Sequence, residues 1–251
     1  MSLDIAWLSV FADVPADRFD AALAFWAQVT DCSVGTPSGG RGEFTPLLPH
    51  AGDRYLWLQR IDEGEGGWHP DLHVADPRRA ADEAMSLGAR ELSAGDGLIA
   101  LATPAGQPFC VVRERTDGGR QRPEPPQWAG GRSLADQLCL DIPAGRYDEE
   151  IEFWAALTGW RPTATDAPEF RRLNPPDALP VQFLLQRLGA QDAGGARAHL
   201  DMSADDRAAE VERHESLGAR TEAVSEGWTT LHDPADRIYC VTAREPGQPH
   251  R

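Results

Sequence analysis

The pentapeptide SLGAR stands at Ser86 to Arg90 and again at Ser216 to Arg220, 130 residues later. A chance repeat would bring no matching neighbours. Here His69 and His199, Asp71 and Asp201, Asp76 and Asp206, and Cys110 and Cys240 all keep the same offset. Upstream, Phe25-Trp26 returns as Phe153-Trp154 and Leu58 to Arg60 as Leu185 to Arg187, at offsets of 128 and 127, the drift that altered loop lengths leave. An internal duplication restricts the chain to folds made of two alike units.

A fainter period lies inside each copy. Asp13, Asp76, Asp141 and Asp206, read as the acidic residues that open helices, are 63, 65 and 65 residues apart, which implies four modules. Each module starts with an apolar run able to form a strand: IAWLSVFAD, PDLHVAD, LADQLCLD or AHLDMSAD. A helix follows. Asp76 is placed to cap the second one, Pro77 suits its first position, and Gly88 its left-handed end; Gly218 repeats that role in the fourth. Phe19, Ala22, Leu23 and Trp26 share a helical face in the first module, as Ile151, Trp154 and Leu157 do in the third. Two or three strand candidates close each module, the one just after the helix being the weakest. A single helix covers one face of such a sheet, so two modules side by side are expected to form a curved sheet with helices outside and a concave inner face.

The 251 residues therefore divide into domain 1 over 1–116, a Gly- and Pro-rich linker over 117–132, and domain 2 over 133–251. A net charge of −16 argues against nucleic acid and anionic membrane surfaces as partners. There is no apolar run of membrane-spanning length and no secretory signal at the N-terminus, so the chain reads as a soluble cytoplasmic protein. Cys32, Cys110, Cys139 and Cys240 form no CxxC pair and read as buried thiols.

The stretches FWAALTGW (Phe153 to Trp160), HLDMSADDRAAEVERHESLGAR (His199 to Arg220) and WTTLHDPADRIYCV (Trp228 to Val241), with their first-half counterparts, resemble the vicinal oxygen chelate superfamily. That group holds glyoxalases, bleomycin-resistance proteins and extradiol dioxygenases, and the match is to its glyoxalase-like domain proteins. The resemblance implies an α+β fold of four βαβββ modules, paired into two tandem glyoxalase-like domains with concave mixed sheets. It implies a small organic molecule as partner. One chain supplies both clefts, which is compatible with a monomer or a homodimer.

Metal-dependent members carry His, Gln or Glu ligands on the first and last strands of paired modules. His199, and by duplication His69, match the first-strand ligand, but the last-strand Glu falls on Cys240 and Cys110. The first strands of modules one and three offer Ala6 and Leu134, with Asp136 nearby, and Gln59 and Gln186 are weak amide donors. A stable site usually wants three good protein ligands, so no metal cofactor is expected; zinc is the cation a His and Cys pair would accept. His69 and His199 then read as cavity hydrogen-bonding groups or as satisfied strand histidines. His73 and His214 read as solvated.

Trp57, Phe183, Trp228 and, less firmly, Trp7 are candidate aromatic walls, and Gln59, Gln186, His69 and Cys110 candidate ligand-binding groups. For catalysis His199 is the candidate general base and Cys240 a nucleophile if its pKa is lowered. Whether the protein is an enzyme stays open. A metal-independent or atypical lyase or isomerase is one expectation, and a non-catalytic sequestering protein of the bleomycin-resistance type the other. A metal-dependent dioxygenase is third, because the fourth module lacks the last-strand carboxylate of a two-His-one-carboxylate iron site.

Overall fold

A computed structural model describes residues 2–115, 119–190, 192 and 194–248. The expected joint at 116 and 117 lies outside the described residues. In the first half, β1 (Trp7–Pro15), α1 (Phe19–Val29), β2 (Ser33–Val34), β3 (Phe44–Leu48) and β4 (Leu56–Ile61) form one module. The next is β5 (Gly67–Val74), α2 (Pro77–Ser86), β6 (Arg90–Gly95), β7 (Leu98–Ala102) and β8 (Pro108–Arg113). A short strand β9 (Gln127–Trp128) precedes the third module, made of β10 (Gly131–Ile142), α3 (Tyr147–Thr158), β11 (Pro162–Ala164), β12 (Phe170–Leu173) and β13 (Gln182–Arg187). The fourth is β14 (Arg197–Ala204), α4 (Arg207–Ser216), β15 (Arg220–Val224), β16 (Trp228–His232) and β17 (Ile238–Thr242).

Each half is one mixed sheet, ordered β2-β3-β4-β1-β5-β8-β7-β6 and β11-β12-β13-β10-β14-β17-β16-β15, with β9 paired to β10. The first strands of the two modules meet antiparallel at the centre: Phe11 opposite His69, and Cys139 opposite His199. The strand after each helix is the outer edge of its sheet, which is why its pattern is the weakest.

Asp76 accepts from Arg79 N with Pro77 beginning the helix, and Asp206 accepts from Ala208 N and Ala209 N. Gly88 and Gly218 follow at φ 104° and 108°, so SLGAR is a helix ending written twice. Asp13 and Asp141 do not open helices. Both lie inside first strands, turned toward histidines across the sheet. The linker is pinned: Asp53 exchanges hydrogen bonds with Gln121, and Gly52, at φ +89°, leaves room for the Arg122 carbonyl, which a Cβ there would strike.

The helices do not all lie outside. One buried apolar cluster runs through both halves. Trp26 of α1 packs edge-on against Trp68 of its own half and Tyr239 of the other; Trp154 of α3 does so against Phe109 and Phe183. The indole N–H groups meet buried carboxylates there. Trp26 donates to Asp233 and Trp154 to Glu150, while Ala235 N and Ala105 N, equivalent by the duplication, donate to the same two groups.

Candidate functional site

Side chains alternate across a strand, so residues two apart on a first strand share its concave face. On β5 these are His69, Asp71 and His73; on β14, His199, Asp201 and Ser203. Cys110 of β8 and Cys240 of β17 stand beside Asp71 and Asp201 in register. Each sheet thus lines a cleft. The first, about 380 Å³, includes Phe11, Asp13, Phe44, Trp57, Gln59, His69, Asp71 and Cys110. The second, about 560 Å³, includes Cys139, Phe170, Arg172, Gln186, His199, Trp228, Cys240 and Arg244.

The floors have one plan. His69 Nδ1 lies 3.1 Å from Asp13 Oδ2 and donates to it, as His199 Nδ1 does to Asp141 Oδ2 at 3.0 Å. On the other side of each ring, Nε2 faces Asp71 Oδ1 at 3.3 Å and Asp201 Oδ1 at 3.2 Å. Those two oxygens are buried and accept no hydrogen bond. Gln137 Nε2 holds the other Asp201 oxygen, and Gln182 Nε2 donates in turn to Gln137 Oε1. A thiol completes each group: donor atoms of His69, Asp71 and Cys110, and of Cys139, His199 and Asp201, lie within 4.8 Å of one another.

Burial disfavours charge on both imidazoles, but their neighbours prevail. Asp13, Asp71 and Cys110 around His69, and Cys139, Asp141, Cys240 and Asp201 around His199, raise both pKa values well above the ordinary histidine range. A raised pKa favours the protonated imidazole, the opposite of what a general base at His199 needs. Cys240 does not meet its condition either: burial raises its thiol pKa rather than lowering it. Burial, with Asp71 beside it, pushes Cys110 up to about 12.

The sequence reading is corrected at several further positions. Phe183 is fully buried on the convex side against Trp154 and Trp160, and its neighbour Leu184 lines the cleft instead. Trp7 is in the core, its indole donating to Arg54 O. His214 is fully buried between Tyr239 and Glu210. His73 is enclosed by Ser9 and Glu114 rather than solvated. Ala6 and Leu134 are on no cleft wall, and Asp136 pairs with Arg244 and Ser203. The remaining candidates, Trp57, Gln59, His69, Cys110, Gln186, His199, Trp228 and Cys240, line the clefts. Sequence reasoning missed Asp71, Asp201, Asp13, Asp141 and Cys139 as site residues. The signal was an HxD spacing kept in both halves at one offset.

Do these residues fit a divalent cation, as the resemblance allows? The expectation of none rested on the missing last-strand Glu. A carboxylate comes instead from two residues beyond each histidine. Buried Oδ1 and Nε2 atoms that converge at ion-pair distance outside hydrogen-bond geometry, next to a sulfur, suit a tetrahedral zinc-type ion that takes the place of the proton. The carboxylate on Nδ1 is the support that metal-bound histidines usually have. The donor sets fit.

A profile of the family described as a glyoxalase-like domain matches residues 9–112 and again 137–242. A search of curated protein sequences finds no match to the chain. Among solved structures, the Mn(II)-bound glyoxalase from Novosphingobium aromaticivorans superposes with a TM-score of 0.64 at 16% identity, over 95% of this chain and 82% of that one. An extradiol ring-cleaving dioxygenase from B. fuscum gives 0.62 at 15%, over 99% and 75%. A 2,3-dioxygenase from Pseudomonas sp. KL28 gives 0.62 at 13%, over 99% and 97%. At these identities the likeness is one of fold. No helix among the described residues is long and apolar enough to cross a membrane.

Proposed function

The chain belongs to the glyoxalase-like domain family, and from that membership we propose that each half binds a small organic molecule in its concave cleft, above a floor built to hold a divalent cation. The observation that carries this reading is the pair of buried Asp71 and Asp201 Oδ1 atoms, left without hydrogen bonds opposite histidine Nε2. Each of these oxygens has only the imidazole at ion-pair distance, and a divalent cation that displaces the Nε2 proton would bind both atoms at once.

His69, Asp71 and Cys110 would hold the ion in the first cleft, and Cys139, His199 and Asp201 in the second. Asp13 and Asp141 fix the imidazole orientation through Nδ1, and Gln137 fixes that of Asp201. A divalent cation supplies a Lewis acid that polarises a carbonyl or phenolic oxygen, which suits a lyase or isomerase. Phe170 and Trp228, edge to face at 5.9 Å, form an aromatic wall of the second cleft.

A second reading, capture without turnover, is favoured for the first cleft. There Trp57, Phe11 and His69 form a continuous stack, with centroids 5.4 and 5.2 Å apart and planes within 11° and 10°. That wall offers apolar area for a flat molecule above the floor.

Native mass spectrometry of protein produced with zinc and purified without chelator tests the cation. Two ions per chain are expected, falling to one in Asp71→Asn and one in Asp201→Asn. A metal-free wild type, or a stoichiometry that neither substitution changes, refutes the reading.

A further inference from the structure

The two clefts descend from one ancestor, so their differences mark what each has come to select. Gln59 pairs with Phe44 and Gln186 with Phe170, which fixes the correspondence of the outer strands. Two residues on, Pro46 lies opposite Trp57 in the first half, whereas Arg172 lies opposite Leu184 in the second. Leu98, opposite Val112, becomes Trp228 opposite Thr242. Glu114, bound by Arg120, becomes Arg244 at the 130-residue offset. The first cleft is therefore aromatic and aliphatic where the second carries two guanidinium groups.

Arg244 is anchored, its Nη2 2.6 Å from Asp136 and its Nε donating to Thr242. Arg172 is not. It is half-buried on the cleft wall and, among the described residues, makes no hydrogen bond or ion pair through its guanidinium. Burial, and Arg244 nearby, disfavour its charge and outweigh the opposite pull of Asp166 at the rim. The acidic side chains at this site are accounted for: Asp141 and Asp201 flank His199, Asp136 is taken by Arg244, and Asp166 and Glu226 are exposed at the rim, where water screens them.

We propose that the second cleft selects a planar organic anion, a carboxylate or enolate on an unsaturated or aromatic body, with Arg172 as the anion-binding residue, Arg244 beside it, and Phe170 and Trp228 against the flat face. The first cleft, lacking both arginines, selects uncharged molecules. This rests on the reading that the clefts bind small molecules. A guanidinium with open donors suits a carboxylate, and a charge-assisted pair in a partly dry cleft discriminates charge by about tenfold or more.

Isothermal titration with 1-naphthoate and 1-naphthamide, flat molecules that differ chiefly in charge, tests this. In the wild type, naphthoate should bind one site per chain at least about tenfold more tightly than naphthamide. In Arg172→Gln the two affinities at that site should come within about threefold, with naphthamide still binding two sites per chain as evidence that both clefts are intact. Equal affinities in the wild type overturn the anion assignment and leave small-molecule binding standing. A naphthoate preference that survives Arg172→Gln also overturns it, because the charge is then read by the floor. If neither probe binds, the assignment and the reading beneath it both fall.

Discussion

His199 has a carboxylate on each side, and the two differ in kind. Asp141 accepts from Nδ1 in hydrogen-bond geometry, whereas Asp201 Oδ1 faces Nε2 without bonding it. Asp141→Asn should weaken cation binding by about 10- to 100-fold through loss of orientation, measured by competition with a chromogenic chelator. A proton and a cation compete for Nε2. Because the pKa values of His69 and His199 are raised, cation affinity should climb with pH through and above the ordinary histidine range; a flat profile would count against Nε2 as a ligand. Some of this site could be read from sequence, and some could not. The histidine positions announced themselves by their shared offset. Asp71 and Asp201 carried the same offset and only the period of a strand was needed to put them on the histidine face. Asp13 and Asp141 were disguised because apolar strand residues run almost into the helices, so a cleft carboxylate resembles a helix cap. Phe183 was ambiguous for another reason: in VQFLLQRL apolar residues occupy both faces, and alternation gives no direction.

At the scale of elements, the pairs of helix caps and glycines define the modules. Gly218→Ala places a side chain at φ 108° and should cost about 1 kcal/mol, seen as a lower midpoint in urea. Helix α4 is also tied to its sheet by a buried polar cluster. Burial pushes the Glu210 carboxyl up, but Arg213 and His214 outweigh it and hold it at about 2. A carboxyl whose folded pKa is depressed stabilises the native state above its unfolded value, near 4.5, and loses that contribution as the pH falls toward 2. Glu210→Gln should therefore cost on the order of 2 kcal/mol at pH 7, with the gap from wild type closing between about pH 4.5 and 2 in thermal melts. Strand order and helix faces were legible because they depend on local period and punctuation. The outer-edge strands were faint because one side of each lacks a partner to impose a pattern.

For the whole molecule, the two halves of the duplication share one buried apolar cluster. Trp26 and Trp154 sit where they meet, and Asp233 accepts from Trp26, Ala235 N and Arg237, while Arg237 also donates to the Asp13 carbonyl of the first half. No pattern within a single module could disclose this, since a helix face packed on its own sheet and one shared between two sheets read alike. Calorimetry should show one unfolding transition for both halves. Asp233→Ala, which strands the buried Arg237, should lower it by about 3–5 kcal/mol without splitting it. A His, Asp and Cys set on each cleft floor is proposed to hold a divalent cation. Titration of the chelator-treated protein with cobalt(II), followed by absorbance, tests it most directly, because thiolate-bound cobalt absorbs where carboxylate-bound cobalt does not. Saturation is expected at two equivalents per chain, with a thiolate band that drops by about half in Cys110→Ser and by about half in Cys139→Ser. No saturable band, or a band indifferent to both substitutions, would contradict it.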